Sequence, residues 1–124
     1  MAPERYSPQK AQITFGKFQN LDMRVARVVA APLATEIDQP CRVVTLDLGH
    51  LGERTSVGQF VLLAEDELVG RNVVACVNLG SRDMGPYRSQ ALILGAPHPD
   101  GPKDQAQATP VFVSDAARPG DQIF

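Results

Sequence analysis

Apolar and polar positions along the chain mark a series of short strands. Runs of this length, bounded by Gly, Pro and Asn, are typical of β-strands rather than helices. In the last run, Asn72–Gly95, the polar segment Asn78–Tyr87 separates two apolar halves. This pattern predicts a strand, a long loop and a strand returning over Arg88–Gly95. The runs are Leu21–Ala31, Cys41–Leu48, Glu53–Val57 and Asn72–Gly95.

The alternation in the first run changes face partway along. Met23 and Val25 share one face, but the next valine is Val28, so the pattern slips near Ala26. Such a slip predicts a β-bulge, which lets a strand bend into a closing barrel. The second and third runs are separated only by the Gly-rich turn 49–52, and they are predicted to pair as a hairpin.

Helical signals are confined to two short segments. Thr14 is predicted to cap a helix over Phe15–Leu21, with Phe15, Phe18 and Leu21 on one side. The period of Gln59–Leu68 suits either a helix or a strand, and its acidic end favours a short helix or turn. Residues 1–12 are polar and contain prolines, so a flexible tail is expected there.

After Gly95 the chain is predicted to form a proline-rich loop to Pro102, a brief strand over Pro110–Ser114 and a turn at Arg118–Gly120. The apolar C-terminus is expected to pack on the domain or on a second copy. A twofold dimer is therefore predicted, with extensions 13–21 and 108–124 forming the contact. Its candidate interface residues are Phe15, Phe18, Leu21, Val111, Phe112, Ile123 and Phe124.

Together these elements predict a mainly all-β fold. The five main strands, the bulged first strand and the interrupting helix are typical of a five-stranded Greek-key OB-fold barrel. Short N-terminal and inter-strand helices and a C-terminal strand extension complete it. The length of 124 residues suits one domain, predicted over residues 13–124.

The charge distribution leaves two interpretations open. The net charge of −2 argues against a protein that coats nucleic acid by bulk electrostatics. Nine of the 12 basic residues are arginines, and seven of these fall between positions 24 and 88. Arginine suits bidentate phosphate contacts, so a local basic face is one interpretation and solvated strand residues are the other.

Several kinds of site are not expected. Cys41 and Cys76 lack CxxC spacing, and His50 and His98 are isolated, so neither a metal nor another cofactor is predicted. No Ser/His/acid set or Gly-rich phosphate loop indicates an enzyme. Apolar runs are too short for membrane insertion, and no signal segment opens the chain, so a cytoplasmic location is expected.

Four motifs along the chain occur in a characteristic order and spacing: Phe18–Val25, Leu46–Gly49, Leu68–Asn78, and Arg88–Leu92 leading to Gly95. Together they resemble the tRNA-binding domain family, an OB-fold module, and within it the CsaA type of export chaperone. The chain departs from the family pattern at Ala26 in the first strand, at Gly80-Ser81 in the loop, and at Gln90 and Leu92 after it.

The resemblance implies binding of tRNA or another structured RNA through the barrel face, without catalysis. Arginines would contact phosphates, and Asn78 and Ser89 would read base edges or 2′-hydroxyls. Alternatively, Asn78 and Ser89 satisfy backbone groups of the loop, and the arginines are solvated. The predicted RNA-binding residues are Arg54, Ser56, Asn78, Arg82, Arg88 and Ser89.

The resemblance also implies a second function of a different class. A homodimeric molecular chaperone could bind unfolded or pre-secretory polypeptides for protein export. The two functions differ in the surface they need, because RNA requires a positive patch and an extended peptide requires an apolar cleft.

Overall fold

Strands dominate the structure, a computed structural model that describes residues 3–124. One α-helix, α1, spans Phe15–Gln19, and 3-10 helices span Gly49–Leu51 and Glu65–Glu67. The predicted mainly β class is confirmed. The strands are β1 (Met23–Ala30), β2 (Arg42–Asp47), β3 (Glu53–Gly58), β4 (Asn72–Cys76), β5 (Arg82–Met84), β6 (Tyr87–Ser89), β7 (Leu92–Ile93), β8 (Gly95–Pro97), β9 (Ala108–Pro110) and β10 (Phe112–Val113).

The main sheet is antiparallel and has the order β10-β4-β1-β2-β3, with β7 also paired to β4. The predicted hairpin is confirmed as β2–β3, in which Thr45 lies opposite Thr55. Strand β3 has no strand partner on its outer side. The sheet is therefore not closed by strand pairing among the described residues, and the closed five-stranded barrel is not confirmed.

Strand β1 contains the expected irregularity at a later position than predicted. Val28 pairs with Leu46 while Ala30 pairs with Thr45, so the extra residue is Val29. Val25 and Ala26 are both buried. Beside this first half of β1 the C-terminal segment takes the place of β2, since Gly120 N–H donates to the Val25 carbonyl over 2.7 Å.

The segment Asn78–Tyr87 was predicted to be a loop, and this prediction is wrong. It contains β5, the turn and the first residue of β6, and the turn includes Gly85 with a φ of 56°. A left-handed glycine followed by proline joins the two short strands, and this pair is a turn signal that also occurs in loops. The returning strand is also broken, since β6 ends at Ser89 and β7 covers only Leu92–Ile93.

Three smaller predictions need adjustment. Thr14 caps α1 as expected by accepting from Lys17 N–H over 3.2 Å, but the helix is shorter than predicted. The start of the proline-rich loop is strand β8, because Gly95–Pro97 pairs with β9. Residues 3–12 contain no helix or strand, and the part of the predicted tail at positions 1–2 lies outside the described residues.

The main hydrophobic cluster lies on one face of the sheet, and strand β4 is buried on both faces. Leu46 and Leu48 of the β2 region are fully buried with Val44, Phe60 and Val73. One charged side chain, that of Arg42, is also buried, with 7% of its surface exposed. Its guanidinium donates to the carbonyls of Ala31, Phe60 and Leu63 over 2.7, 3.2 and 2.9 Å.

Replacing Arg42 by Met is expected to lower the free energy of unfolding by about 3 kcal/mol, because buried carbonyls lose charge-assisted hydrogen bonds. Urea denaturation measures the change. Arg118→Met, at an exposed position, serves as the control and should change stability little. Equal stability of the two variants would contradict the assigned role of Arg42.

Candidate nucleic-acid interface

A groove of about 620 Å³ lies between the end of β3 and the segment containing β7 and β8. Its floor includes the buried residues Cys41, Ser56, Phe60 and Ile93. The β5–β6 hairpin forms one rim. Among the described residues that line the groove there is no Asp or Glu, and the one charged side chain is that of Arg82.

The two faces of the β5–β6 hairpin carry different arginines. Arg82 lies opposite Ser89, whereas Arg88 lies opposite Asp83. Because side chains alternate along a strand, Arg82 and Arg88 project from opposite faces of the hairpin. Arg82 and Ser89 line the groove. Arg88 donates to the Ser81 hydroxyl over 2.7 Å on the far side.

The hairpin is held against the 32–40 loop. Thr35 N–H donates to the Tyr87 hydroxyl over 3.1 Å. A Cβ atom added at Gly85 would lie only 2.6 Å from Ile37 Cγ2, so the turn packs closely on this loop. These contacts hold the hairpin backbone that carries the exposed Arg82 side chain at the rim.

Ser89 and Gln90 form hydrogen bonds with the edge of β3, which has no neighbouring strand in the described part of the chain. Gln90 N–H donates to the Thr55 carbonyl over 2.7 Å, and Thr55 N–H donates to Gln90 Oε1 over 3.0 Å. Val57 N–H donates to the Ser89 hydroxyl over 3.0 Å. Ser89 and Gln90 therefore substitute for a neighbouring strand at the end of the groove.

Asn78 and Arg54 also make intramolecular contacts. Asn78 Oδ1 accepts from Asp22 N–H over 2.9 Å, and its Nδ2 donates to the Asn20 carbonyl over 2.7 Å. Arg54 donates to the Val77 carbonyl over 2.8 Å. Asn78 joins the start of β1 to the end of β4, and Arg54 joins β3 to the same point.

The Arg82 guanidinium influences the pKa of a thiol at the floor of the groove, that of Cys41. Burial raises the pKa of the Cys41 thiol above its ordinary value, while the Arg82 guanidinium acts in the lowering direction. The effect of burial is the larger, so the thiol stays protonated at neutral pH. The floor is thus uncharged and faces a cation at the rim.

The structure brings together only part of the predicted RNA-binding set. Ser56, Arg82 and Ser89 line the groove, Arg88 is on the far side of the hairpin, and Arg54 and Asn78 support the strands. Sequence reasoning missed Gln39 and Gln59, which also line the groove. They come from separate connecting segments and share no motif.

The predicted dimer residues fall into two groups. Phe15, Leu21, Val111 and Phe124 are exposed. Phe18, Phe112 and Ile123 are partly buried. The Phe112 ring lies 3.4 Å below the Arg71 guanidinium, a cation–π contact that gives this residue an intramolecular role.

Across the described residues 3–124, no helix is long and apolar enough to cross a membrane. In the same part of the chain, no group of three or more His, Cys, Asp or Glu side chains is arranged to hold a metal ion.

The fold and the groove define a small, mainly β binding domain. A family model described as "Putative tRNA binding domain" matches residues 23–122. The chain belongs to this tRNA-binding domain family, as the sequence motifs indicated.

Individual relatives fit this assignment. The methionine–tRNA ligase of Thiobacillus denitrificans is 34% identical over 119 residues, which are 94% of this chain and 17% of that protein. The chain therefore spans about a sixth of this relative's length. The CsaA chaperone structure from Picrophilus torridus is 26% identical with a TM-score of 0.80, covering 91% of this chain and all of that one. The CsaA structure from Bacillus anthracis, 24% identical with a TM-score of 0.74 and covering 92% and 100% of the two chains, shares the fold.

Replacing Gln90 by Leu is expected to lower the free energy of unfolding by about 1 kcal/mol, because Thr55 N–H loses its acceptor. Gln90→Glu retains an acceptor oxygen and is the matched control. Urea denaturation compares the two, and a Leu variant as stable as the Glu variant would contradict the closing role of this side chain.

Proposed function

We propose that this domain binds tRNA or another structured RNA, without catalysis, through the groove and the adjoining β5–β6 hairpin. Membership of the tRNA-binding domain family supports the choice of ligand. A cytoplasmic location, where tRNA is found, belongs to the same proposal, and the free thiols of Cys41 and Cys76 agree with a reducing compartment.

The position of Arg82 is the observation that carries the proposal. The protein has 14 acidic residues and a net charge of −2, yet no carboxylate of the described chain lines the groove. A guanidinium beside a surface without negative charge attracts phosphate and can bind it in bidentate fashion.

The predicted residues then take different roles. Arg82 contacts the phosphate backbone from the groove side, and Arg88 contacts it from the outer side of the hairpin. Ser56 contributes a hydroxyl at the floor. Arg54, Asn78 and Ser89 position the strands and the hairpin, because their polar atoms are bonded to the Val77 carbonyl, the Asn20 carbonyl and Val57 N–H.

Replacing Arg82 by Ala is expected to weaken tRNA binding about tenfold at low salt, by loss of one charge-assisted phosphate contact. The slope of log K against log salt should fall by about one unit. Arg88→Ala should have a smaller effect, because Asp83 lies opposite Arg88 and offsets its charge. Fluorescence anisotropy with labelled tRNA over a salt series measures both.

The exposed Arg118→Ala variant controls for the change in net charge. Absence of tRNA binding by the wild-type domain at low salt would contradict the proposed function. Equal affinities of the Arg82→Ala and Arg118→Ala variants would contradict the proposed contact.

A second candidate function is that of a homodimeric chaperone which binds unfolded or pre-secretory polypeptides for export. It is supported by the similarity to the CsaA chaperone of Picrophilus torridus and by exposed apolar side chains near both ends of the chain. Phe15 and Phe124 are 70% and 102% exposed in the single chain. A second copy that covered them would bury this apolar surface.

The dimer is tested by light scattering at micromolar concentration. The wild-type domain is expected to have twice the mass of one chain, and a Phe15→Asp/Phe124→Asp variant that of one chain. A Tyr6→Asp variant, altered at another exposed aromatic residue, is the control and should remain dimeric. A stable wild-type monomer would contradict the proposed dimer.

A further inference from the structure

The groove beside the β5–β6 hairpin presents a particular mixture of side chains. Amides are supplied by Gln39 and Gln59, and a hydroxyl by Ser56. Amide side chains pair with the edges of nucleobases through matched donors and acceptors. The groove therefore has the hydrogen-bonding groups needed to contact a base.

Apolar groups in the same groove suit the flat face of a base. Leu79, Met84 and Leu92 line the groove. Leu79 and Leu92 are 58% and 50% exposed, so a ligand in the groove can reach their side chains. Thioether and aliphatic surfaces can cover the face of an unstacked base in place of an aromatic ring.

The charge of the groove lining favours a ligand that carries a negatively charged group. Within the described chain, its lining contains one guanidinium, that of Arg82, and no carboxylate. A phosphodiester group linked to an inserted base would lie at the rim, where this cation is held. The volume of about 620 Å³ is in the range of small-molecule sites and is much too small to enclose an RNA helix.

Given the RNA binding proposed above, on which this inference rests, we infer that the groove takes one unpaired nucleotide of the RNA. The base enters between Gln59 and the apolar side chains of Met84 and Leu92, and its phosphate is bound by Arg82. The ligand is therefore an RNA with an accessible single-stranded loop, and a fully paired helix lacks the nucleotide that fills the groove.

The test uses a short RNA hairpin with 2-aminopurine at one loop position, and its fully paired duplex counterpart. The wild-type protein is expected to bind the loop RNA about tenfold more tightly than the duplex, and to change the 2-aminopurine emission as the base leaves its neighbours. A loop RNA with an abasic site at that position should bind as weakly as the duplex.

Gln59→Glu places a carboxylate in the groove with almost no change in volume, and is expected to weaken loop binding about tenfold. Gln9→Glu makes the same charge change at an exposed position outside the groove, and should bind as the wild type does. Circular dichroism and urea denaturation establish that both variants are folded.

Equal binding of the intact and abasic loops, or equal binding by the Gln59→Glu and Gln9→Glu variants, would overturn the inference. If tRNA binding in the same preparation still depends on Arg82, the proposed function stands and only the inserted nucleotide is wrong. If the wild-type protein binds neither tRNA nor the loop RNA, both are wrong.

Discussion

A buried guanidinium holds the connecting segments of this domain against its sheet. Arg42 starts strand β2, and its side chain donates to three backbone carbonyls, one at the end of β1 and two in the connection after β3. A further hydrogen bond joins the end of β1 to the connection after β3, because Ala31 N–H donates to the Glu65 carboxylate over 2.9 Å. The partners of Arg42 are neutral carbonyls, so its charge is stabilised by dipoles.

Strand β3 has an open edge in the same region of the domain. The connection after β3 is bonded to Arg42, and the segment between β6 and β7 forms hydrogen bonds with the β3 edge through Ser89 and Gln90. The groove is the space left beyond those contacts. The fold therefore combines a connection held by Arg42 with an accessible groove beside the β3 edge.

The sequence predicted those features that depend on local pattern. The two runs that form β2 and β3, the turn between them and the Thr14 cap are decided within a few residues, and each prediction was confirmed. The family motifs correctly indicated the tRNA-binding domain. By contrast, the β5–β6 hairpin was missed, because three-residue strands such as Arg82–Met84 are too short to show a period.

The makeup of the candidate site could not be predicted in the same way. Gln39, Gln59 and Leu92 meet in the groove only after distant segments fold together. Asn78 and Ser89 have the residue types of ligand-binding groups, and the alternative left open for them, satisfaction of backbone groups, describes the bonds they make. Polar residue type indicates hydrogen-bonding capacity, and only the tertiary structure determines the partner.

The most direct test is a nuclear magnetic resonance titration of the labelled domain with tRNA, which maps the amides whose chemical shifts change. With the proposed RNA-binding face, the largest changes are expected at residues 57–60 and 79–92, around the groove and the hairpin. Changes concentrated at residues 15–21 and 111–124, with the groove unaffected, would contradict it.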